Sequence, residues 1–119
     1  MKKSFFFSFI DCIIFLSSCN SKTSAVIESN SANGKVKVKV EGKRGMAFDP
    51  FKTVIAVKAY EFKEGKLTFE IMASDLNSEN VKFNWQDENN CIIIIEESDK
   101  HVRSFQLIAD ESQVQLAEI

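Results

Sequence analysis

Few side chains in this sequence could do chemistry, and their spacing narrows what that chemistry would be. His101 is the single histidine of the chain. To act as a base it would need Ser98, Ser104 or Cys91 within hydrogen-bond reach and a third group orienting its ring. No motif places such a trio, and His101 reads as a solvated residue at a strand end. Cys91 is followed by Ile92, Ile93, Ile94 and Ile95, with acidic residues on both flanks. A reactive thiol needs an electropositive setting, so Cys91 is expected to be buried and inert, with an intermolecular disulfide as the alternative. Asp87, Glu88, Asp110 and Glu111 lie in turn-like segments with Asn89 and Asn90. A Ca²⁺ ion takes about six to eight oxygens, but no DxDxDG loop is present, and these acids read as solvated turns. The expectation is therefore no catalytic residue, no metal, no cofactor and no enzymatic activity. The segment Gly42–Phe51 differs from the rest. Lys43, Arg44, Met46, Phe48 and Phe51 combine cations with large apolar groups, the residue types that anchor a protein partner. The competing expectation is that Met46, Phe48 and Phe51 plug the end of a core.

These residues must be positioned by short strands. Lys35-Val36-Lys37-Val38-Lys39-Val40-Glu41 alternates without error, which predicts a half-buried strand whose lysines also suit a sheet edge. After Gly42–Pro50, Thr53 to Phe62 is almost continuously apolar until Lys58, predicting a strand covered on both faces over its first half. Lys63-Glu64-Gly65-Lys66 has the composition of a hairpin turn. Leu67, Phe69 and Ile71 then alternate with polar residues, and after Ser74–Asn80 so do Val81, Phe83 and Trp85. Cys91–Ile95 is apolar on both faces and predicts a central strand, with Asp87, Glu88, Glu96 and Glu97 guarding it against aggregation. His101–Ala109 and the segment around Val114 and Leu116 complete the set. The pattern predicts an all-β domain: a seven-stranded antiparallel β-sandwich of immunoglobulin-like type, with a small β-barrel as the alternative.

Alternating turns of such a sheet fall at opposite ends. The turns at Lys63–Lys66, Gln86–Asn90 and Asp110–Ser112 should share one end, together with the start of the first strand. The loops Gly42–Phe51, Ser74–Asn80 and Ser98–Lys100 should share the other, where folds of this kind keep binding surfaces.

The beginning of the chain is of another character. Lys2 and Lys3 precede an apolar run from Phe5 to Leu16, the order of a positive n-region and an h-region. Residues 4–18 as a helix would span only about 22 Å at roughly 1.5 Å per residue, against a hydrocarbon core of about 30 Å. Asp11 adds a cost of about 3 kcal/mol to a permanent span. Leu16-Ser17-Ser18-Cys19 resembles the lipobox of bacterial lipoproteins: a branched apolar residue, two small residues, then cysteine. The resemblance covers only this leader and implies cleavage between Ser18 and Cys19, with lipid attached to the Cys19 thiol. Two or more acyl chains make such attachment stable where one is marginal. By the same resemblance, Asn20 rather than Asp favours the outer membrane, facing the periplasm.

Domain boundaries follow as 1–18 signal peptide, 19–34 flexible tether and 35–119 β-sandwich. The Ser/Asn-rich tether has an r.m.s. reach of roughly 20 Å. Because the tether enters at the end holding Lys63–Lys66, the long loops are expected to point away from the lipid. Loss of residues 1–18 leaves 101 residues and, with Lys2, Lys3 and Asp11 gone, moves the net charge from −2 to −3. That is enough chain for one modest core. It argues against a nucleic-acid partner and against simple adsorption to anionic lipid, which need clustered cations. With Cys12 removed and Cys19 lipidated, Cys91 has no intramolecular disulfide partner. The functional expectation is a lipid-anchored cell-envelope protein that binds a protein or envelope partner. The alternative is a small periplasmic inhibitor or immunity lipoprotein that caps an enzyme.

Overall fold

The computed structural model describes residues 23–46, 48–98 and 100–119. The expected signal peptide and the acceptor pair Ser18 and Cys19 lie outside the described residues. The described chain forms eight strands: β1 Thr23–Asn30, β2 Val36–Arg44, β3 Phe51–Ala59, β4 Lys63–Ile71, β5 Val81–Asp87, β6 Asn90–Ser98, β7 His101–Ala109 and β8 Val114–Glu118. They make two antiparallel four-stranded sheets, each a plain meander in chain order: β1-β2-β3-β4 and β5-β6-β7-β8.

The all-β sandwich is therefore present, and three finer expectations are corrected. The strand count among the described residues is eight, because Thr23–Asn30, expected to be tether, pairs with β2 along its whole length, from Thr23 opposite Arg44 to Asn30 opposite Lys37. Each sheet also keeps chain order, whereas an immunoglobulin arrangement exchanges strands between sheets. Finally, no ladder closes either edge into a barrel among the described residues. Instead side chains meet there. At one edge the Trp85 indole Nε1 of β5 donates to Ser29 Oγ of β1 at 2.8 Å. At the other, Gly65 of β4 lies against Val114 of β8, and a Cβ on Gly65 would come 2.7 Å from the valine Cγ1.

Alternation decides which faces are buried. Val36, Val38 and Val40 of β2 point inward with Phe51, Ile55, Val57 and Ala59 of β3; Cys91, Ile93, Ile95, Phe105 and Leu107 answer from the second sheet. β3 buries one face only, with Val54 and Ala56 half-exposed on the other. β6 is an interior strand of its sheet, but Ile92 and Ile94 are half-exposed on the outside rather than covered.

The turn between β3 and β4 falls at Tyr60–Phe62, three residues before the expected Lys63–Lys66, which belongs to β4. Tyr60 and Glu61 both adopt left-handed backbone, at φ 51° and 69°, where a side chain costs about 1–2 kcal/mol. The register is held instead by tertiary contacts: Ala59 pairs with Lys63, and the Tyr60 hydroxyl donates to Asn89 Oδ1 across the sandwich. Glu61→Gly is expected to raise stability by about 0.5–1 kcal/mol, the relieved strain less the added freedom of glycine in the unfolded chain. Thermal melting checks it, and a lowered midpoint would contradict strain at this tip.

Candidate functional site

The strands carry the loops to two ends, grouped as their alternation predicts. At the hairpin end stand residues 31–35, 60–62, 88–89 and 110–113. Asn33 N donates to Glu88 Oε1 at 2.7 Å, and Ala109 N donates to the Asn89 carbonyl at 2.9 Å. At the loop end stand residues 45–50, the 72–80 link and the turn after Ser98. Asn80 Nδ2 donates to the Asp75 carbonyl at 2.7 Å and to the Glu96 carbonyl at 3.2 Å.

The 72–80 link is the connection that leaves one sheet for the other, and it crosses the loop end as a lid on the core. Leu76 is buried beneath it. Its Cδ2 lies where a side chain on Gly42 would begin, 2.4 Å from an ideal Cβ there. Arg44 ties the lid down. Its two terminal nitrogens donate to the carbonyls of Ala73 at 3.2 Å and Ser74 at 2.8 Å, and the guanidinium carbon lies 4.4 Å from the Phe51 ring centroid. Arg44 Nε is buried without a hydrogen-bond partner.

The five candidate partner-binding residues accordingly split. Phe51 is 0% exposed and plugs the core, and Arg44 is half-buried and engaged with the lid. Lys43, Met46 and Phe48 project outward, with Phe48 93% and Met46 64% exposed. Their turn is closed by Asp49, whose N donates to the Met46 carbonyl at 3.0 Å while its Oδ2 accepts from Met46 N at 3.1 Å. Two residues join them that sequence reasoning missed. Lys52 stands directly opposite Lys43 across β2 and β3, a proximity visible only once the register is known. Ser24 of β1 lies beside Lys43 in the same row. A groove of about 670 Å³ runs between β1 and the 45–50 loop, lined by Ser24, Lys43, Arg44, Asp49, Pro50 and Lys52 among others.

The orientation of this end differs from expectation. The sequence predicts that these loops point away from the chain's start. Because Thr23–Asn30 is a strand rather than a tether, it reverses the path, and Thr23 enters at the loop end opposite Arg44. The hairpin end therefore lies at the opposite end of the sheet from Thr23. It carries a residue also missed from sequence, Phe62, 84% exposed at the strained tip. Only its place just before the polar Lys63–Lys66 run could have hinted at a tip.

The structure brings His101 to one of its candidate partners, Ser98, and leaves Cys91 far from both. His101 is exposed, with Nδ1 3.3 Å from Ser98 Oγ. Cys91 is opposite Leu107, six residues further along β7 and so about 20 Å from His101 at roughly 3.4 Å per residue. Two of the acids at the hairpin end, Asp87 and Asp110, cap their own turns. Asp87 Oδ1 accepts from Asn89 N at 2.8 Å. Asp110 Oδ1 accepts from the Ser112 hydroxyl at 2.7 Å and from the Ser112 and Gln113 amides at 2.8 and 3.0 Å, which holds its carboxyl below the usual range. No group of three metal-ligating side chains converges among the described residues.

Burial pushes the Cys91 thiol up to about 11, against a weaker opposing hydrogen bond from the Asn84 backbone. Between its ordinary value of 9.0 and about 11, the unfolded chain releases the proton while the folded chain keeps it. Stability is therefore lost as pH rises through that window, by on the order of 2 kcal/mol. The urea midpoint of the wild type should fall more from pH 9 to pH 11 than that of Cys91→Ala. Equal falls would contradict a buried neutral thiol.

In class, then, the fold is a two-sheet β-sandwich of consecutive meanders with an exposed cationic and aromatic loop at one end and an aromatic hairpin tip at the other. No protein-family model matches the chain, and neither a curated protein sequence nor a solved structure shows significant similarity to it. No helix among the described residues is long and apolar enough to cross a membrane.

Proposed function

We propose that this chain is a lipid-anchored protein of the bacterial cell envelope, acting as a non-catalytic binding module. The support for attachment is the Leu16-Ser17-Ser18-Cys19 motif after a basic and apolar leader. Asn20 favours the outer membrane, with the domain in the periplasm. Cys19 precedes Thr23 by four residues, so a lipid on it lies within about 14 Å of the start of β1. Attachment there turns the loop end toward the bilayer and the hairpin end outward.

One observation carries the binding reading. Phe62 stands 84% exposed at the outward end, on a tip whose two left-handed residues are held by the Tyr60–Asn89 bond. A rigid exposed aromatic loses little freedom on docking, and aromatics dominate the energetics of interfaces. The same projecting tip suits the second reading, an inhibitor or immunity lipoprotein inserting into an enzyme cleft. A photo-crosslinking amino acid at position 62, compared with one at Lys82 on the outer sheet face, tests both in the producing bacterium. A discrete adduct at 62 alone is expected, and its identity separates an envelope component from an enzyme. Absence of any adduct specific to 62 would overturn the outward site.

A further inference from the structure

We propose that the loop end is a second, non-covalent membrane contact, in which Phe48 and Met46 enter the bilayer interface and Lys43 with Lys52 holds anionic phospholipid headgroups. The inference rests on the lipid-anchor reading for its geometry and goes beyond it in giving the folded domain its own lipid-binding surface.

Three observations converge on this occupant. Phe48 and Met46 are 93% and 64% exposed, on a turn that Asp49 closes from behind. They leave the core to Phe51 and Leu76. Secondly, Lys43 and Lys52 are direct cross-strand neighbours, an arrangement that like charges disfavour. Glu70 stands opposite Lys52 on its other side, yet neither lysine forms an ion pair within the described residues. An anion between them removes the repulsion, and an anionic leaflet supplies such anions in quantity. Thirdly, the surface is where the chain would meet lipid: Thr23, four residues after Cys19, pairs with Arg44 at the rim of the same groove.

The weak negative charge of the whole chain argues against adsorption to anionic lipid. The register gathers at one corner cations that are dispersed along the sequence. The acids of this end are divided: Asp49 shares the groove with the lysines but is turned to the Met46 amide, Glu70 stands opposite Lys52, and Glu96 and Glu97 belong to β6, where Glu97 pairs with Arg103. An exposed aromatic with flanking lysines is the composition of an interfacial membrane contact. One acylated residue would leave the domain swivelling on a short leash, whereas a second contact fixes its tilt and holds Phe62 outward.

The test uses the full protein purified from membranes and placed on vesicles of three parts phosphatidylethanolamine to one of phosphatidylglycerol. Lipids brominated at known depths report insertion by quenching tryptophan. Wild type, with Trp85 alone, gives the background for Phe48→Trp and Phe62→Trp. In the Phe48→Trp protein the added indole should be quenched by bromines near the interface and shift its emission to the blue. The indole added by Phe62→Trp should do neither. The Lys43→Glu/Lys52→Glu pair in the Phe48→Trp background should lose that quenching. Quenching of Phe48→Trp no greater than that of Phe62→Trp, or indifferent to both lysines and to removal of phosphatidylglycerol, would overturn the proposal. Intact mass of the same sample reports the lipid on Cys19 separately, so failure of the anchor and failure of the loop contact are distinguishable.

Discussion

Phe105→Ala is expected to destabilise the domain by about 3–5 kcal/mol, the range for deleting a fully buried aromatic. Phe105 is 0% exposed at the centre of β7, and its ring stacks on Phe69 of the opposite sheet with centroids 4.6 Å apart and planes at 26°. Arg103 covers the pair, its guanidinium carbon 4.9 Å from the Phe69 centroid and 5.6 Å from that of Phe105. The guanidinium is itself held by Glu118, through bonds of 2.9 Å to each carboxylate oxygen, and by the Glu70 carbonyl at 2.7 Å. Truncation thus removes the contact between sheets and leaves a cavity beneath a fixed lid. Against a typical total of about 5–15 kcal/mol, the loss could leave the chain largely unfolded at 37 °C. Urea titration measures it, and a change below about 1 kcal/mol would contradict a packed aromatic centre.

The lid at the loop end gives the second large effect, with a coupling that tests its geometry. Leu76→Ala should cost about 2–5 kcal/mol as a buried leucine deleted from a fitted site. Gly42→Ala should cost about 1–3 kcal/mol, since the new Cβ would start 2.4 Å from Leu76 Cδ2 and 3.3 Å from Phe51 Cδ1. Removing the leucine makes room for that methyl group. The double variant should therefore be less destabilised than the summed singles, by about 0.5–3 kcal/mol. Strict additivity across the four midpoints would mean that Leu76 does not seat on Gly42.

Much of the framework is legible in the sequence because alternation is a local signal. Val36, Val38 and Val40 against Lys37 and Lys39 mark β2 without reference to anything else, and the same holds for Leu67, Phe69 and Ile71. The grouping of loops at two ends follows from antiparallel alternation alone. β1 escapes because only Ala25 and Ile27 of its inward side are apolar. Its other inward residue, Ser29, is satisfied by a tryptophan 56 positions away, and its backbone by β2, which is tertiary information. The β3–β4 turn is misplaced for a similar reason: local composition favours Lys63–Lys66, but pairing of Ala59 with Lys63 and the Tyr60–Asn89 bond draw it onto Tyr60 and Glu61.

The candidate loop was partly legible. Residue type identifies Met46 and Phe48 as exceptional, but cannot say that Phe51 turns inward while Phe48 turns out. Nor can it place Lys52 beside Lys43, since their proximity depends on register. Missing β1 had the largest consequence, because one added strand moves the start of the domain from one end to the other. It thereby exchanges which loops lie at the end where Thr23 enters and which lie at the other.

The most direct measurement is intact mass spectrometry of the protein recovered from the membrane fraction of a bacterial host. A chain beginning at Cys19 and carrying diacylglycerol, with or without a further acyl group on its amine, is the predicted species. A soluble chain that keeps Met1, or one with an unmodified Cys19 thiol, would contradict it.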